Sequence, residues 1–177
     1  MTDLPALLSR LGGHGRPRLT WYCEDERVEL SRHVLDNWVT KTTHLLVDEL
    51  DVTPGRRVVV DLPVHWRAIV WSLAALRAGA VLEPAPDAVV VTDDPERWPR
   101  TADLVVVALP ALARTAGSVP PGAVDANAAV MTYPDRPGAW PPVPSDAPAF
   151  GAVRHGDLVD WGGGSAPPPP RAAGRCA

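Results

Sequence analysis

The most regular pattern of apolar and polar positions runs from Val58 to Pro84. Val58 to Leu62 form a continuous apolar run, which is typical of a strand buried on both faces of a parallel sheet. The segment after Pro63 predicts a helix that is apolar almost all round and therefore packs against a sheet. Its apolar residues are Trp66, Ile69, Val70, Trp71, Leu73 and Leu76. Gly79 ends this helix, and Val81 to Glu83 start another strand.

Two more apolar runs follow, and they predict strands at Ala88–Thr92 and Leu104–Leu109. A short polar segment with helical character, Asp94–Arg100, lies between them. Strands that alternate with helices predict a parallel sheet with right-handed crossovers. We therefore predict an α/β fold, namely a mostly parallel, Rossmann-like half-sheet with flanking helices.

The pattern before Val58 predicts a hairpin and a long amphipathic helix. A short helix is expected at Thr2–Leu11, and Leu19–Tyr22 and Arg27–Leu30 read as the two hairpin strands. Ser31 is the expected N-cap of a helix over Arg32–Leu50. Its apolar face comprises Val34, Leu35, Trp38, Val39, Thr42, Leu45, Leu46 and Leu50. The opposite face, expected in solvent, carries Arg32, Asp36, Lys41 and Asp48.

The pattern weakens after Pro110, although Asp125 to Met131 can form a helix. Proline is dense from Pro134 onward, and the sequence closes on GGGSAPPPPRAAGRCA. We divide the chain into an N-terminal helix and linker (1–18), an α/β subdomain (19–133), a Pro-rich, weakly structured region (134–160) and a disordered Gly/Pro-rich tail (161–177).

Composition narrows the classes of function. The net charge of −4 and the lack of interleaved basic and aromatic residues argue against a nucleic-acid partner. Lys41 is the only lysine, and the arginine-rich remainder is typical of a high-GC bacterial genome. Cys23 and Cys176 show no metal-binding spacing and are expected to be reduced. No signal peptide or membrane span is recognisable, so we expect a cytoplasmic protein.

A phosphate site at a strand-to-helix turn needs glycines, because backbone amides must approach the phosphate closely. The turn from Asp61 to Trp66 contains none, and Pro63 has no amide proton. The glycine-rich stretch Gly162–Ser165 leads into prolines and has neither a lysine nor a helix after it. The sequence therefore predicts no residues that bind a nucleotide cofactor.

Several polar residues are catalytic or metal-binding candidates by residue type. His65 follows a predicted strand at its carboxyl end, where ligands bind in open α/β sheets, but a solvent-facing histidine at a helix start is the favoured reading. Asp61 is expected to cap the following helix. Surface turns are the expected setting of Asp93, Asp94, His155 and Asp157. A hydrolase motif surrounds none of Ser118, Ser145 and Ser165, and core positions are expected for Trp38, Trp66 and Trp71. We therefore assign no catalytic, cofactor-binding or metal-binding residue.

The segment Leu19–Pro86 resembles the opening of the AMP-forming acyl-CoA synthetases and their adenylate-forming relatives. The matching motifs are the Pro54–Val58 turn, the Leu62-Pro63-Val64 loop and Leu76–Ala80, which corresponds to a Leu-Lys-Ala-Gly-Ala motif. Short stand-alone proteins that resemble only this N-terminal part are also similar. The loop departs from the pattern, since Val64 replaces an asparagine.

The resemblance implies chemistry for which this sequence offers no residues. The synthetases use a Ser/Thr/Gly-rich loop ending in Pro-Lys, a downstream Tyr/Thr-Glu pair, a ribose-binding aspartate and a C-terminal lysine, and none has a counterpart here. Three hypotheses follow. The chain is a truncated, catalytically inactive synthetase-like protein that binds a small molecule or a protein, or forms a homodimer; it is one half of a split acyl-adenylating ligase; or it is a gene fragment without activity.

Overall fold

In the computed structural model, the described part of the chain starts at Pro17 with a hairpin, and a long helix follows it. The structure describes residues 17–23 and 26–163, so the predicted Thr2–Leu11 helix and most of the predicted tail lie outside the described residues. Strands β1 (Pro17–Tyr22) and β2 (Arg27–Ser31) pair antiparallel. Helix α1 (Arg32–Asp48) follows directly, because the Ser31 hydroxyl accepts a hydrogen bond from the Val34 amide at 3.3 Å.

A five-stranded parallel sheet forms the centre of the molecule. Its strands are β3 (Arg57–Asp61), β4 (Val81–Leu82), β5 (Val89–Thr92), β6 (Leu104–Val106) and β7 (Val124–Asp125), in the order β4-β3-β5-β6-β7. Helix α2 (Trp66–Arg77) connects β3 to β4, and α3 (Ala126–Val130) follows β7. The predicted α/β class with a parallel sheet and flanking helices is confirmed. Strand β7 has only two residues, too few for a recognisable pattern.

The sheet is apolar on both faces, as continuous valine runs predict. One face carries the side chains of Val58, Val89, Val91 and Val105, which pack in one cluster with residues of α1, α2 and α3. The other face carries Val90, Leu104 and Val106, which pack against loop residues such as Trp98 and Val119. Among the residues that the structure describes, α-helices therefore pack on one face of the sheet, and loop residues pack on the other.

The Pro-rich region contains a second hairpin. Strands β8 (Pro148–Phe150) and β9 (Val153–Arg154) pair antiparallel, β8 contacts β4, and helix α4 (Leu158–Gly163) follows. His155 lies just after β9 and is buried, with Nε2 hydrogen-bonded to the Ala80 carbonyl at 3.2 Å. The expectation that His155 lies in a surface turn is wrong. Burial lowers the pKa of its imidazole, although backbone hydrogen bonds act in the opposite direction.

Helix α1 also differs from its predicted surface. Val34, assigned to the apolar face, is exposed, whereas Lys41 is half-buried. The Lys41 ammonium donates a hydrogen bond to the carbonyl of Tyr133, in the segment after α3. The prediction that Lys41 faces solvent is wrong, because this segment folds back across the helix.

Cys23 is disulfide-bonded, so the prediction of a reduced thiol is wrong for this residue. Among the helices of the described residues, none combines the length and the apolar character that a bilayer crossing requires. A cytoplasmic location stays a prediction.

Candidate functional site

The turn between β3 and α2 is closed by its own side chains. His65 is only 4% exposed, and its Nδ1 accepts a hydrogen bond from the Arg67 amide at 3.1 Å. The His65 ring packs edge-on against Trp21, with 4.3 Å between the ring centroids. Trp21 Nε1 donates to the Val64 carbonyl at 3.0 Å. The prediction of a solvent-facing His65 is wrong, since the β1–β2 hairpin covers the turn.

The buried position of His65 has an electrostatic consequence. Desolvation, followed by the positive charge of Arg67, lowers the pKa of His65 to about 4, while the charge of Glu26 acts in the opposite direction. The imidazole is therefore neutral at neutral pH. His65 is the N-cap of α2. The prediction that Asp61 caps this helix is therefore wrong.

Asp61 instead lies where ligands bind in open α/β sheets. The chain leaves β3 toward one edge of the sheet and β5 toward the other, so the carboxyl ends of these strands flank the topological switch point. Here the Asp61 carboxylate accepts hydrogen bonds from Trp98 Nε1 at 2.7 Å and from Thr92 Oγ1 at 3.3 Å, and it pairs with Arg97 at 3.1 Å. The expected crevice is therefore filled by residues of the chain.

An adjacent cavity is open. It has a volume of about 560 Å³ and lies at the carboxyl edge, between the first turn of α2, the loop after β6 and helix α3. Its lining residues are Trp38, Arg67, Ala111, Leu112, Ala113, Arg114, Asn127, Ala128 and Met131. The size and the apolar wall are those of a small-molecule site.

Arg67 supplies the buried charge of this cavity. The residue is 5% exposed, and its guanidinium donates to the carbonyls of Leu109 at 3.4 Å and Pro110 at 3.3 Å. The guanidinium carbon lies 4.5 Å from the ring centroid of Trp66 and 5.4 Å from that of Trp38. No carboxylate of the described residues forms an ion pair with it. Burial lowers its pKa to about 10, so it stays charged at neutral pH.

Asn127 and Glu26 hold the wall of the cavity in place. The Asn127 side chain donates to the carbonyls of Ala108 and Ala113, at 3.2 and 2.9 Å, and accepts from the Ala108 amide at 2.9 Å. The Glu26 carboxylate accepts from the Ala111 amide at 3.0 Å. The side chains of Asn127 and Glu26 thus form hydrogen bonds with the loop. Arg67 is the buried charged residue of the lining that can contact a ligand.

Known proteins share this fold. No protein-family model matches the chain. A "TIGR03089 family protein" from Mycobacterium tuberculosis is 33% identical over 133 residues, which are 68% of this chain and 55% of that protein, so the chain spans about half the length of its curated relative. An acyl-CoA synthetase from Brucella canis superimposes with a TM-score of 0.67 at 19% identity, over 84% of this chain and 30% of that structure. The acetoacetyl-CoA synthetase from Streptomyces lividans gives 0.63 at 22%, over 83% and 26%.

The chain has the fold of the N-terminal part of adenylate-forming enzymes. The predicted resemblance is confirmed, and the structure gives its most specific motifs a physical reason. Gly79, in the Leu76–Ala80 motif, has a φ of +82°, and a Cβ there would lie 3.0 Å from Pro54 Cα and from Val143 Cγ2. The Gly55 amide donates to the Gly79 carbonyl at 2.9 Å. The two motifs therefore pack against each other and belong to the scaffold of the adenylate-forming fold.

Most of the remaining polar candidates lie away from the cavity. Asp93 and Asp94 pair with Arg97 at 3.4 and 3.2 Å, and Asp157 is exposed. Ser118 and Ser145 are also exposed, and Ser165 falls outside the described residues. Within residues 17–23 and 26–163, no three His, Cys, Asp or Glu side chains converge as a metal site would require.

Arg67 is the residue that the sequence reading missed. It stands in the first turn of a helix whose other residues, apart from Ser72 and the terminal Arg77, are apolar, and this interruption was the available signal. A buried arginine in an apolar helix needs a partner, and the partner indicates a site. Trp66 and Trp71 are in the core as predicted, whereas Trp38 is half-buried at the cavity.

Proposed function

We propose that this 177-residue chain is a catalytically incomplete relative of the adenylate-forming enzymes and does not by itself transfer adenylate to an acid. The observation that carries the proposal is the engagement of its single lysine. The Lys41 ammonium is held on the Tyr133 carbonyl, and the Tyr133 hydroxyl donates to Glu49 at 2.7 Å. The lysine therefore ties the segment after α3 to α1.

Adenylate transfer depends on cations that stabilise the charge developing on the transferred group. The Lys41 ammonium uses one of its three donors on a backbone carbonyl, and Lys41 is not among the residues that line the open cavity. The glycine-free turn after β3 supports the same conclusion, because Pro63 has no amide proton and the Arg67 amide is already bound to His65. Neither feature offers an ATP phosphate a ready partner.

The test is ATP–pyrophosphate exchange by the purified 177-residue chain with a panel of carboxylic acids, together with melting temperatures in the presence of ATP or AMP. We expect no exchange above a heat-inactivated control and no shift in melting temperature. Acid-dependent exchange by the chain alone would overturn the proposal. The variant Lys41→Met would then show whether this lysine is responsible.

The coverage of the structural matches favours a second function. The Brucella canis enzyme matches 84% of this chain, but the match spans 30% of that enzyme. This fits one half of a split ligase, in which a partner chain supplies the phosphate loop and a second lysine. The apolar side chains of Tyr22, Val64 and Ile69 are exposed and are candidate contacts for such a partner or for a second copy.

Co-expression with a chain that encodes the remaining part of a synthetase distinguishes these functions. A split ligase predicts a complex of two chains and exchange that neither chain shows alone. A homodimer predicts a doubled mass of the isolated chain in light scattering. If the isolated chain stays monomeric at high concentration and gains no activity from the second chain, the result supports the hypothesis of a catalytically incomplete chain.

A further inference from the structure

The charge of Arg67 lacks the neutralising group that buried arginines normally have. Transferring a guanidinium from water to a protein interior is costly unless a carboxylate or several hydrogen bonds compensate for the loss of solvation. Arg67 has two long hydrogen bonds to carbonyls and two indole faces. Glu26 acts on it electrostatically but forms no ion pair with it. Its free N–H groups are therefore available to an oxyanion.

A buried donor without an acceptor lies near Arg67, on Trp66. The Trp66 Nε1 atom is buried and has no hydrogen-bond partner among the described residues. Trp66 lines a small void of about 10 Å³ that shares Trp38 and Arg67 with the larger cavity. Buried indole N–H groups usually find an acceptor. The void has room for about one water molecule, and Trp66 does not line the larger cavity, so a ligand there meets Arg67 and not this indole.

The rest of the cavity determines what else a ligand must carry. Arg114 on the rim is exposed and adds a second positive charge. Two further lining residues, Leu112 and Met131, are apolar and are exposed by 93% and 61%. Of the lining residues, none is acidic, which disfavours a metal ion or an amine. A volume of about 560 Å³ suits a small molecule and not a macromolecular segment.

We infer that this cavity binds a small organic anion whose oxyanion group meets Arg67 and whose apolar body lies against Leu112 and Met131. The site involves neither Lys41 nor a phosphate loop. The inference therefore goes beyond the proposed function, and it holds whether or not the chain transfers adenylate.

Binding can be measured with defined probes on the full chain. Phenyl phosphate and benzoate carry the two common oxyanion groups on the same ring, and benzamide is the neutral counterpart. We expect saturable quenching of tryptophan fluorescence by at least one anion, because Trp38 lines the cavity. Benzamide should bind roughly tenfold more weakly or not at all, which corresponds to about 1.4 kcal/mol. The preferred anion then identifies the head group.

Two substitutions test the residue assignment. Arg67→Gln should weaken binding of the preferred anion by roughly tenfold or more. Ala128→Glu places a carboxylate in the lining of the same cavity, at an exposed position in the first turn of α3, and should abolish binding by competing for Arg67. Ala128→Gln is the matched control of equal size, and it should bind like the original chain. The Ala128 pair decides the question even if Arg67→Gln fails to fold.

Three results would overturn the inference. They are a lack of saturable binding by both anions, equal binding of benzamide, and equal binding by Ala128→Glu and Ala128→Gln in folded protein. Each is independent of pyrophosphate exchange. If the chain binds the anion and shows no pyrophosphate exchange, both proposals are supported. If it binds the anion and also shows exchange, only the proposed function is rejected. If it shows neither anion binding nor exchange, only the anion site is rejected.

Discussion

Two arginines near opposite ends of helix α2 are both buried, yet their surroundings differ. Arg77, near the carboxyl end, donates to the Asp36 carboxylate at 2.7 Å and to the Thr40 hydroxyl at 2.8 Å. Arg67, in the first turn, has two carbonyls beyond 3.2 Å and two indole rings. One guanidinium is neutralised within the fold and the other is not.

This difference in partners indicates that the carboxyl end of α2 belongs to the scaffold of the fold and that its amino end belongs to the candidate site. The carboxyl end of α2 joins Arg77 to α1 and packs Gly79 against Pro54, so its polar groups and its space are fully used. The amino end leaves a buried charge beside an open cavity. Retaining such a charge lowers stability unless a ligand compensates for it, and that kind of loss is common at functional sites.

The largest effect is expected at the carboxyl end, where Gly79→Ala should lower the free energy of unfolding by about 3 kcal/mol. A positive φ costs a non-glycine residue about 1–2 kcal/mol, and the new Cβ would also press on the backbone of Pro54 at 3.0 Å. Urea denaturation measures the loss. Binding of the anionic probe to the folded fraction should not change, because Gly79 belongs to the scaffold.

Gly55→Ala is the matched control for this substitution. Gly55 has a φ of +90°, and a Cβ there would meet nothing within 4 Å. It should therefore show only the backbone part of the cost, about 1–2 kcal/mol. Equal losses at both glycines would mean that the close packing of the two motifs contributes nothing.

At the amino end, pH should change stability through His65. Its pKa is about 4 in the folded chain and about 6.5 in the unfolded chain, so the unfolded chain binds more protons between these values. This contribution to stability is fully present above pH 6.5 and is lost progressively as the pH falls from there to about pH 4. Denaturation midpoints between pH 7 and pH 4.5 follow it.

His65→Asn isolates this contribution. Asparagine is a good N-cap but does not titrate, so the slope should decrease by the share of His65. His155 titrates in the same direction and remains in the variant, and some pH dependence should therefore persist. If the slopes of the two proteins coincide, His65 is not held neutral by its burial near Arg67.

The sequence was sufficient to predict the scaffold, because its determinants are local. Valine runs, the Gly79 helix stop and the Ser31 cap predict the parallel sheet and α1 without long-range information. Lys41 and His155 were misplaced because both are buried by segments distant in sequence. The segment after α3 covers Lys41, and the second hairpin is anchored through His155 on Ala80. No periodicity within α1 or around His155 carries that information.

The candidate site was less predictable for a related reason. His65 and Asp61 were singled out by their position after β3, and both lie at the carboxyl edge. Their roles differ from expectation because Trp21 and Trp98, which are remote in sequence, fill the space around them. The cavity is lined by residues of α2, of the loop after β6 and of the helix after β7. It is recognisable only in the folded chain, because these segments are distant in sequence.

The smallest effect tests the comparison of the two arginines most directly. Arg67→Met should raise the free energy of unfolding by about 1 kcal/mol, because an apolar side chain of similar length removes an uncompensated buried charge. The gain is limited because the carbonyls of Leu109 and Pro110 lose their donor. Arg77→Met should instead lower it by about 1–2 kcal/mol, since the buried Thr40 hydroxyl and Asp36 lose their partner.

The opposite signs matter more than the magnitudes, because both substitutions make the same chemical change in the same helix. Urea denaturation of both variants, with and without the anionic probe, provides the measurement. The probe should stabilise the original chain and Arg77→Met but not Arg67→Met, by mass action on the folded state. Equal destabilisation by the two substitutions would indicate that Arg67 is already compensated within the fold and that both ends of α2 are scaffold.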